Sequence, residues 1–208
     1  MTHWLDHSLV LAWHYRVRDA GRVGDLVDRR RRELGRLGAH HVLVYESTSE
    51  PGRVLVMTAI HAREPLLDLL RSRTLFEWFD AAGVRDIPAV FAGELWERLV
   101  LAPETGPSAT EVMFSVVTTV DDPVLLLAHV RGSTADLRRA GIRNLSMFTA
   151  FDDPREILLV LHVDDEQHAR RWIEYSELAA EWMTRAGIGA YPPAFTGRFR
   201  RLITLDER

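Results

Sequence analysis

The sequence contains no cysteine and no lysine, so all 26 basic side chains are arginine. The missing cysteine excludes disulfides, thiol nucleophiles, iron–sulfur ligation and cysteine zinc sites. The missing lysine excludes Schiff-base chemistry and a phosphate-loop lysine, and no GxxxxGK[ST] segment occurs. No apolar run approaches the roughly 18 to 20 residues of a membrane span. The stretch Met1-Thr2-His3-Trp4-Leu5-Asp6-His7 lacks the basic start and the cleavage site of a signal peptide. These absences set the expectation of a soluble, cytoplasmic protein working with His, Tyr, Ser, Thr, Arg and carboxylate chemistry.

Hydrophobic residues make up 47% and charged residues 27% of 208 positions, enough apolar material for a sizeable core. The formal net charge of −4 offers no general drive toward nucleic acid or anionic lipid, so neither is expected as a partner. Arginine without lysine, beside abundant Ala, Gly and Val, fits a GC-rich genome of the actinobacterial type.

The chain repeats itself. At an offset of 103, Val17 falls on Val120, Leu34 on Leu137, Gly38 on Gly141, Pro51 on Pro154 and Leu55 on Leu158. After a one-residue insertion, Glu77-Trp78 falls on Glu181-Trp182, Gly83 on Gly187, Pro88 on Pro192, Phe91 on Phe195 and Gly93 on Gly197. Matches of Gly, Pro and Trp in one order mark shared turns and shared packing. The expected organisation is a first repeat over 1–102, a linker over 103–110 and a second repeat over 111–208.

In the first copy, Val10 to Val17 reads as a strand, and Gly21 to Leu37 carries Val23, Leu26, Val27, Leu34 and Leu37 on one helical face before Gly38 stops it. Strands His40 to Ser47 and Arg53 to Ile60 flank the turn Ser49-Glu50-Pro51-Gly52. A helix from Arg63 to Ala82 and a strand from Val90 to Leu101 complete βαββαβ. Copy two repeats the order: strand Glu111 to Val120, helix from Pro123, strands Arg143 to Ala150 and Glu156 to Val163, helix Glu166 to Ala186, strand Ala194 to Leu205. Such a unit makes a four-stranded antiparallel sheet with both helices on one face. The strands are apolar at nearly every position, so both faces of each sheet should be covered. The fold class expected is α+β, two tandem ferredoxin-like units whose sheets pack into one intramolecular barrel.

This pattern, with the segment Gly-x-x-x-x-Pro-x-x-Phe-x-Gly at Gly83 to Gly93 and again at Gly187 to Gly197, resembles the dimeric α+β barrel superfamily. That group includes antibiotic biosynthesis monooxygenase-like proteins, small polyketide cyclases, stress-responsive A/B barrel proteins and haem-degrading enzymes. The resemblance implies a ligand pocket between a sheet and its helices, and an aromatic or polyketide-like substrate that is cyclised, isomerised or oxygenated without a cofactor. It also admits a non-catalytic binder of a small ligand or of haem, with His61 and His168 near the starts of the second helices as conceivable iron ligands. Many oxygenases and haem degraders of the group carry an asparagine on the first strand. Here the sole asparagine is Asn144, on a second strand, and the first strands carry Trp13, His14 and Tyr15, or Thr118 and Thr119.

Residues shared by the copies belong to the scaffold, so polar residues in one copy only are the better site candidates. His14 replaces Val117 and His162 replaces Ala59, and imidazole suits general acid–base work near neutral pH, although a strand histidine also serves as a hydrogen-bonded core residue. Tyr45 and Tyr191 are donors toward a developing oxyanion, and equally plain core material. His14, Tyr45 and His162 are the candidate catalytic residues. Arg30 lies mid-stripe on its helix, either reaching water along its stem or facing a ligand carboxylate or enolate; His129 and Ser133 stand at matching positions of copy two. Arg30, His129, Ser133 and Tyr191 are the candidate substrate contacts. There is no HExxH and no His-x-His, so no metal is expected, and His40 and His41, adjacent on a strand, should point to opposite faces. Fusion of two copies supplies internally the sheet partner that single-copy relatives gain by dimerising, so a monomer or a homodimer is expected.

Overall fold

The computed structural model describes residues 9–103, 112–175, 177–187 and 194–205. Its elements are β1 (Leu9–Arg16), α1 (Gly21–Arg29), α2 (Arg31–Arg36), β2 (Ala39–Ser47), β3 (Arg53–Ile60), α3 (Arg63–Arg71), α4 (Arg73–Ala82) and β4 (Ala89–Val100). The same order continues with β5 (Val112–Thr119), α5 (Pro123–Gly132), α6 (Thr134–Arg139), β6 (Ile142–Ala150), β7 (Glu156–Val163), α7 (Glu166–Tyr175), α8 (Glu177–Arg185) and β8 (Ala194–Thr204). Hydrogen-bonded neighbours run β1-β3-β2-β8-β5-β7-β6-β4 and close on themselves. Each run of four strands thus has the order fourth, first, third, second, as the βαββαβ reading requires. No helix among the described residues is long and apolar enough to cross a membrane.

The helices read over 21–37, over 63–82 and from Pro123 are each two shorter ones. Ser133 at the α5–α6 break turns its hydroxyl back onto the His129 carbonyl at 2.7 Å, and Ser72 at the α3–α4 break onto the Leu69 carbonyl at 2.8 Å. A serine hydroxyl that competes for its own helix carbonyls in this way bends or ends the helix. Arg30 occupies the α1–α2 break, at φ −96° and ψ 9°.

Contacts group the chain into two compact units, residues 1–93 with 199–208, and residues 94–198. Their boundaries fall inside β4 and β8, and residues 104–110 of the expected linker lie outside the described residues. In the first unit Trp13 packs edge-on against Trp78 and Phe79 of α4, and Tyr15 against Phe79. Those contacts fix the odd-numbered residues of β1 as the helix-facing set, and strand alternation puts Ala12, His14 and Arg16 on the other face. In the second unit Leu126, Val130 and Leu137 from the helices meet Val116, Leu145, Leu159 and Leu161 from the strands, and Phe114, Trp172 and Trp182 belong to the same cluster. Burying each such Leu contributes roughly 1.5 to 3 kcal/mol.

The two units share one irregularity. Ala39 and His41 oppose consecutive residues of β3, Ile60 and Ala59, so His40 is an extra residue in β2. Ile142 and Asn144 oppose Val163 and His162 in the same way, so Arg143 is the extra residue in β6. The bulge overturns the expectation that His40 and His41 point apart. Their Nδ1 atoms approach to 2.7 Å, because an inserted residue cancels the alternation that would separate them.

Candidate functional site

The first unit holds an aromatic cluster between β1 and α4. Ring centroids lie 5.5 Å apart for Trp13–Trp78, 5.6 Å for Trp13–Phe79 and 5.7 Å for Tyr15–Phe79. Trp13 is 2% exposed, Tyr15 3% and Trp78 8%. The indole Nε1 of Trp13, the hydroxyl of Tyr15 and the indole Nε1 of Trp78 are buried without a hydrogen-bond partner among the described residues. An indole N–H can only donate, so the two tryptophans require an acceptor.

An unsatisfied buried polar group costs roughly 1 to 3 kcal/mol, so three cost about 3 to 9. Whole-domain stabilities are only about 5 to 15 kcal/mol. An acceptor oxygen placed among these donors would offset part of that cost. Burial pushes the Tyr15 phenol well above its ordinary range; the nearby Trp78 N–H works against the shift without completing a hydrogen bond. Tyr15 is therefore a neutral donor at physiological pH and a poor base.

The second unit lacks this arrangement. Val116 and Thr118 stand where copy one has Trp13 and Tyr15. Trp182, the counterpart of Trp78, keeps an Nε1 without a hydrogen-bond partner among the described residues and packs edge-on against Trp172 at 5.6 Å.

No protein-family model matches the sequence, and no curated protein matches it. Solved structures match over nearly its full length. An anthrone oxidase-like protein superposes with a TM-score of 0.73 at 13% identity, covering 98% of this chain and 96% of the other. A ferredoxin-fold protein related to antibiotic biosynthesis monooxygenases, from Listeria monocytogenes, gives 0.53 at 10% identity over 94% and 96%. A haem-binding protein from Thermus thermophilus gives 0.53 at 15% identity over 93% and 92%. The fold is an α+β barrel of two ferredoxin-like units. At these identities the likeness is one of fold.

The residues expected to form the site fall in several places of this α+β barrel. His14 and Tyr45 both belong to the first unit and flank Leu55 on one sheet face, opposite the helices. Two strand spacings place them on the order of 10 Å apart. His14 Nε2 accepts from Arg53 Nε, Arg53 pairs with Glu50, and Arg16 donates to Glu50 at 2.6 Å. Burial, and then the Arg53 charge, bring the His14 pKa down to about 4, with Glu50 partly opposing. Tyr45 is buried with its ring edge-on to Phe199 at 5.9 Å. His162 is buried in the second unit, across from Met113 and Asn144 on the face opposite the helices.

Among the expected substrate contacts, Arg30 grips both carboxylate oxygens of Glu33 at 2.8 and 2.7 Å. His129 on α5 has a buried Nε2 with no hydrogen-bond partner among the described residues, and Ser133 spends its hydroxyl on the His129 carbonyl. Tyr191 lies outside the described residues. Asp165 caps α7 by accepting from the His168 N–H at 2.9 Å, its other oxygen lies 3.0 Å from His168 Nδ1, and His61 stacks on His40 with centroids 4.0 Å apart. Among the described residues no group of three His, Asp or Glu side chains could hold a metal ion.

Trp13, Tyr15 and Trp78 escaped the sequence reading. Comparison of the copies singled out His14, Tyr45, His162, Arg30, His129 and Ser133, whereas Trp13 and Tyr15 on an apolar strand, and Trp78 shared by both copies, read as core. The signal was present in the same alignment, as Trp against Val and Tyr against Thr.

Proposed function

We propose that the protein binds a flat, oxygenated aromatic molecule of the polyketide type in its first unit, between β1 and α4, and acts on it as a cofactor-free enzyme. The observation that carries this reading is the trio of buried donors Trp13 Nε1, Tyr15 Oη and Trp78 Nε1, without hydrogen-bond partners among the described residues, inside an aromatic cluster. The rings offer stacking surface, and the donors offer hydrogen bonds to a carbonyl or phenolate oxygen. The anthrone oxidase-like protein of the same fold supports this substrate class.

The chemistry such donors can supply is stabilisation of an oxyanion. In an anthrone, loss of a proton from the methylene opposite the carbonyl, to a base supplied by solvent, places negative charge on the carbonyl oxygen. A preorganised donor at such an oxygen typically contributes about 3 to 4 kcal/mol. The enolate then reacts with dioxygen, and the balanced outcome converts the CH2 group and O2 into C=O and H2O. No step runs through His14, Tyr45 or His162, which lie on sheet faces turned away from the helices.

One observation favours a second reading, a binder without turnover. Tyr15 is held protonated and the His14 Nε2 is already bonded to Arg53, so neither serves as the base. Haem fits this cluster poorly, since Trp13, Trp78 and Phe79 carry no iron ligand and the Tyr15 phenolate is disfavoured. Titration of a hydroxylated anthrone against tryptophan fluorescence, with oxygen uptake followed in parallel, tests both. The enzyme reading expects saturable quenching and oxygen consumption, each weakened in Trp13→Phe and Trp78→Phe. Quenching without oxygen uptake selects the binder, and quenching unchanged in both variants removes the site.

A further inference from the structure

The bulge in β6 decides which way the chain's one asparagine points. Ile142, Leu145 and Met147 all belong to the core cluster shared with the helices of the second unit, yet Ile142 and Leu145 lie an odd number of residues apart, which strict strand alternation forbids. The extra residue Arg143 reconciles them and turns Asn144 to the face opposite the helices. Ser146 follows on that face, with His162 and Val160 as the cross-strand partners of the two, and Ser115 joins them across from Val160 on β5.

Four buried polar side chains thus share one sheet face: Ser115 is 4% exposed, Asn144 7%, Ser146 1% and His162 3%. Their counterparts in the first copy are Ala12, His41, Leu43 and Ala59, so three of the four positions are apolar there. Asn144 Oδ1 and Ser146 Oγ are buried without a hydrogen-bond partner among the described residues. The second copy therefore carries a desolvation cost at Ser146 that the Leu43 of the first copy does not, unless something bonds the two oxygens.

We propose that the second unit binds a buried water molecule on this face, bridging Asn144 Oδ1 and Ser146 Oγ. Same-face neighbours on one strand have Cα atoms roughly 6.6 Å apart, too far for these two short side chains to bond each other and suited to one small molecule with bonds of about 2.8 Å to each. The Asn144 carbonyl oxygen only accepts, and the Ser146 hydroxyl offers one donor and two acceptor sites, so the bridge must donate to one and can donate to or accept from the other. Water does both, and two such bonds are the fewest that hold a buried water. A metal ion is the wrong occupant: these side chains include no carboxylate, and among the described residues no group of three His, Asp or Glu side chains could hold one.

A high-resolution crystal structure of the whole chain is expected to show a single-oxygen peak about 2.7 to 3.2 Å from both Asn144 Oδ1 and Ser146 Oγ. Ser146→Ala, which removes one holder and leaves Asn144 alone, is expected to lose the peak and to melt about 2 to 4 °C below wild type. The double variant N144L/S146A leaves neither oxygen to satisfy and is expected to melt higher than the summed effects of its two single substitutions predict. Should the variants not fold, the wild-type protein alone decides the matter, through a nuclear Overhauser contact between a long-lived water and the Asn144 side-chain amide. A site without density, a direct Asn144–Ser146 bond, or a peak that grows with added sodium or potassium would overturn the proposal. So would a Ser146→Ala protein that melts at or above wild type, or single-variant losses that simply add.

Discussion

Tyr15→Phe separates the cost of the donor cluster from its use. The substitution keeps the ring, and hence the packing against Phe79, and removes only the hydroxyl. That hydroxyl is buried without a partner among the described residues, so its deletion relieves a desolvation cost of roughly 1 to 3 kcal/mol instead of breaking a bond. For a chain of about this length each kcal/mol moves Tm by about 2 to 4 °C. The free Tyr15→Phe protein should therefore melt several degrees above wild type. Its affinity for an aromatic phenol or ketone should meanwhile fall by about two- to tenfold, one neutral hydrogen bond. Opposite signs on stability and binding are the mark of a functional site built at the expense of the fold. Calorimetry with and without a hydroxylated anthrone reads both quantities. A variant that melts below wild type by more than about 1 kcal/mol would mean that the hydroxyl already has an acceptor in the free protein, and the reasoning from orphaned donors would collapse.

Two further outcomes test the surroundings. With His14 held near 4 in the folded state and about 6.5 when unfolded, the unfolded chain binds more protons between those values, so stability is full above pH 6.5 and declines as the pH falls toward 4. His14→Gln should flatten that part of a denaturation profile, and an unchanged slope would show that the decline has another source. Gly52 sits at φ +75° in the β2–β3 turn, where an added Cβ would meet the Val17 carbonyl oxygen at 2.4 Å, so Gly52→Ala should lower stability by more than about 1 kcal/mol in urea denaturation.

The sequence carried the fold because the chain states it twice. Glycines and prolines at matching offsets bounded the turns, and apolar runs supplied the strands, so β3 and β7 fall where the pattern put them. The helix breaks at Ser72 and Ser133 were masked by an apolar periodicity that continues across them, although a serine inside a helix is the residue able to make such a break. The β2 bulge had no local sign, since His40 is neither glycine nor proline, and only pairing with β3 reveals the extra residue. The aromatic cluster was hidden for a chemical reason. Periodicity sees Trp13 and Tyr15 as apolar, whereas their role rests on one N–H and one O–H whose partners only three-dimensional packing can count.

The most direct test of the proposed site is a crystal structure of the protein with a hydroxylated anthrone. The account predicts the ligand between β1 and α4 of the first unit, with one of its oxygens about 2.7 to 3.2 Å from at least two of Trp13 Nε1, Tyr15 Oη and Trp78 Nε1. A ligand seated elsewhere, with those three donors still bonded to nothing or to ordered water alone, would contradict it.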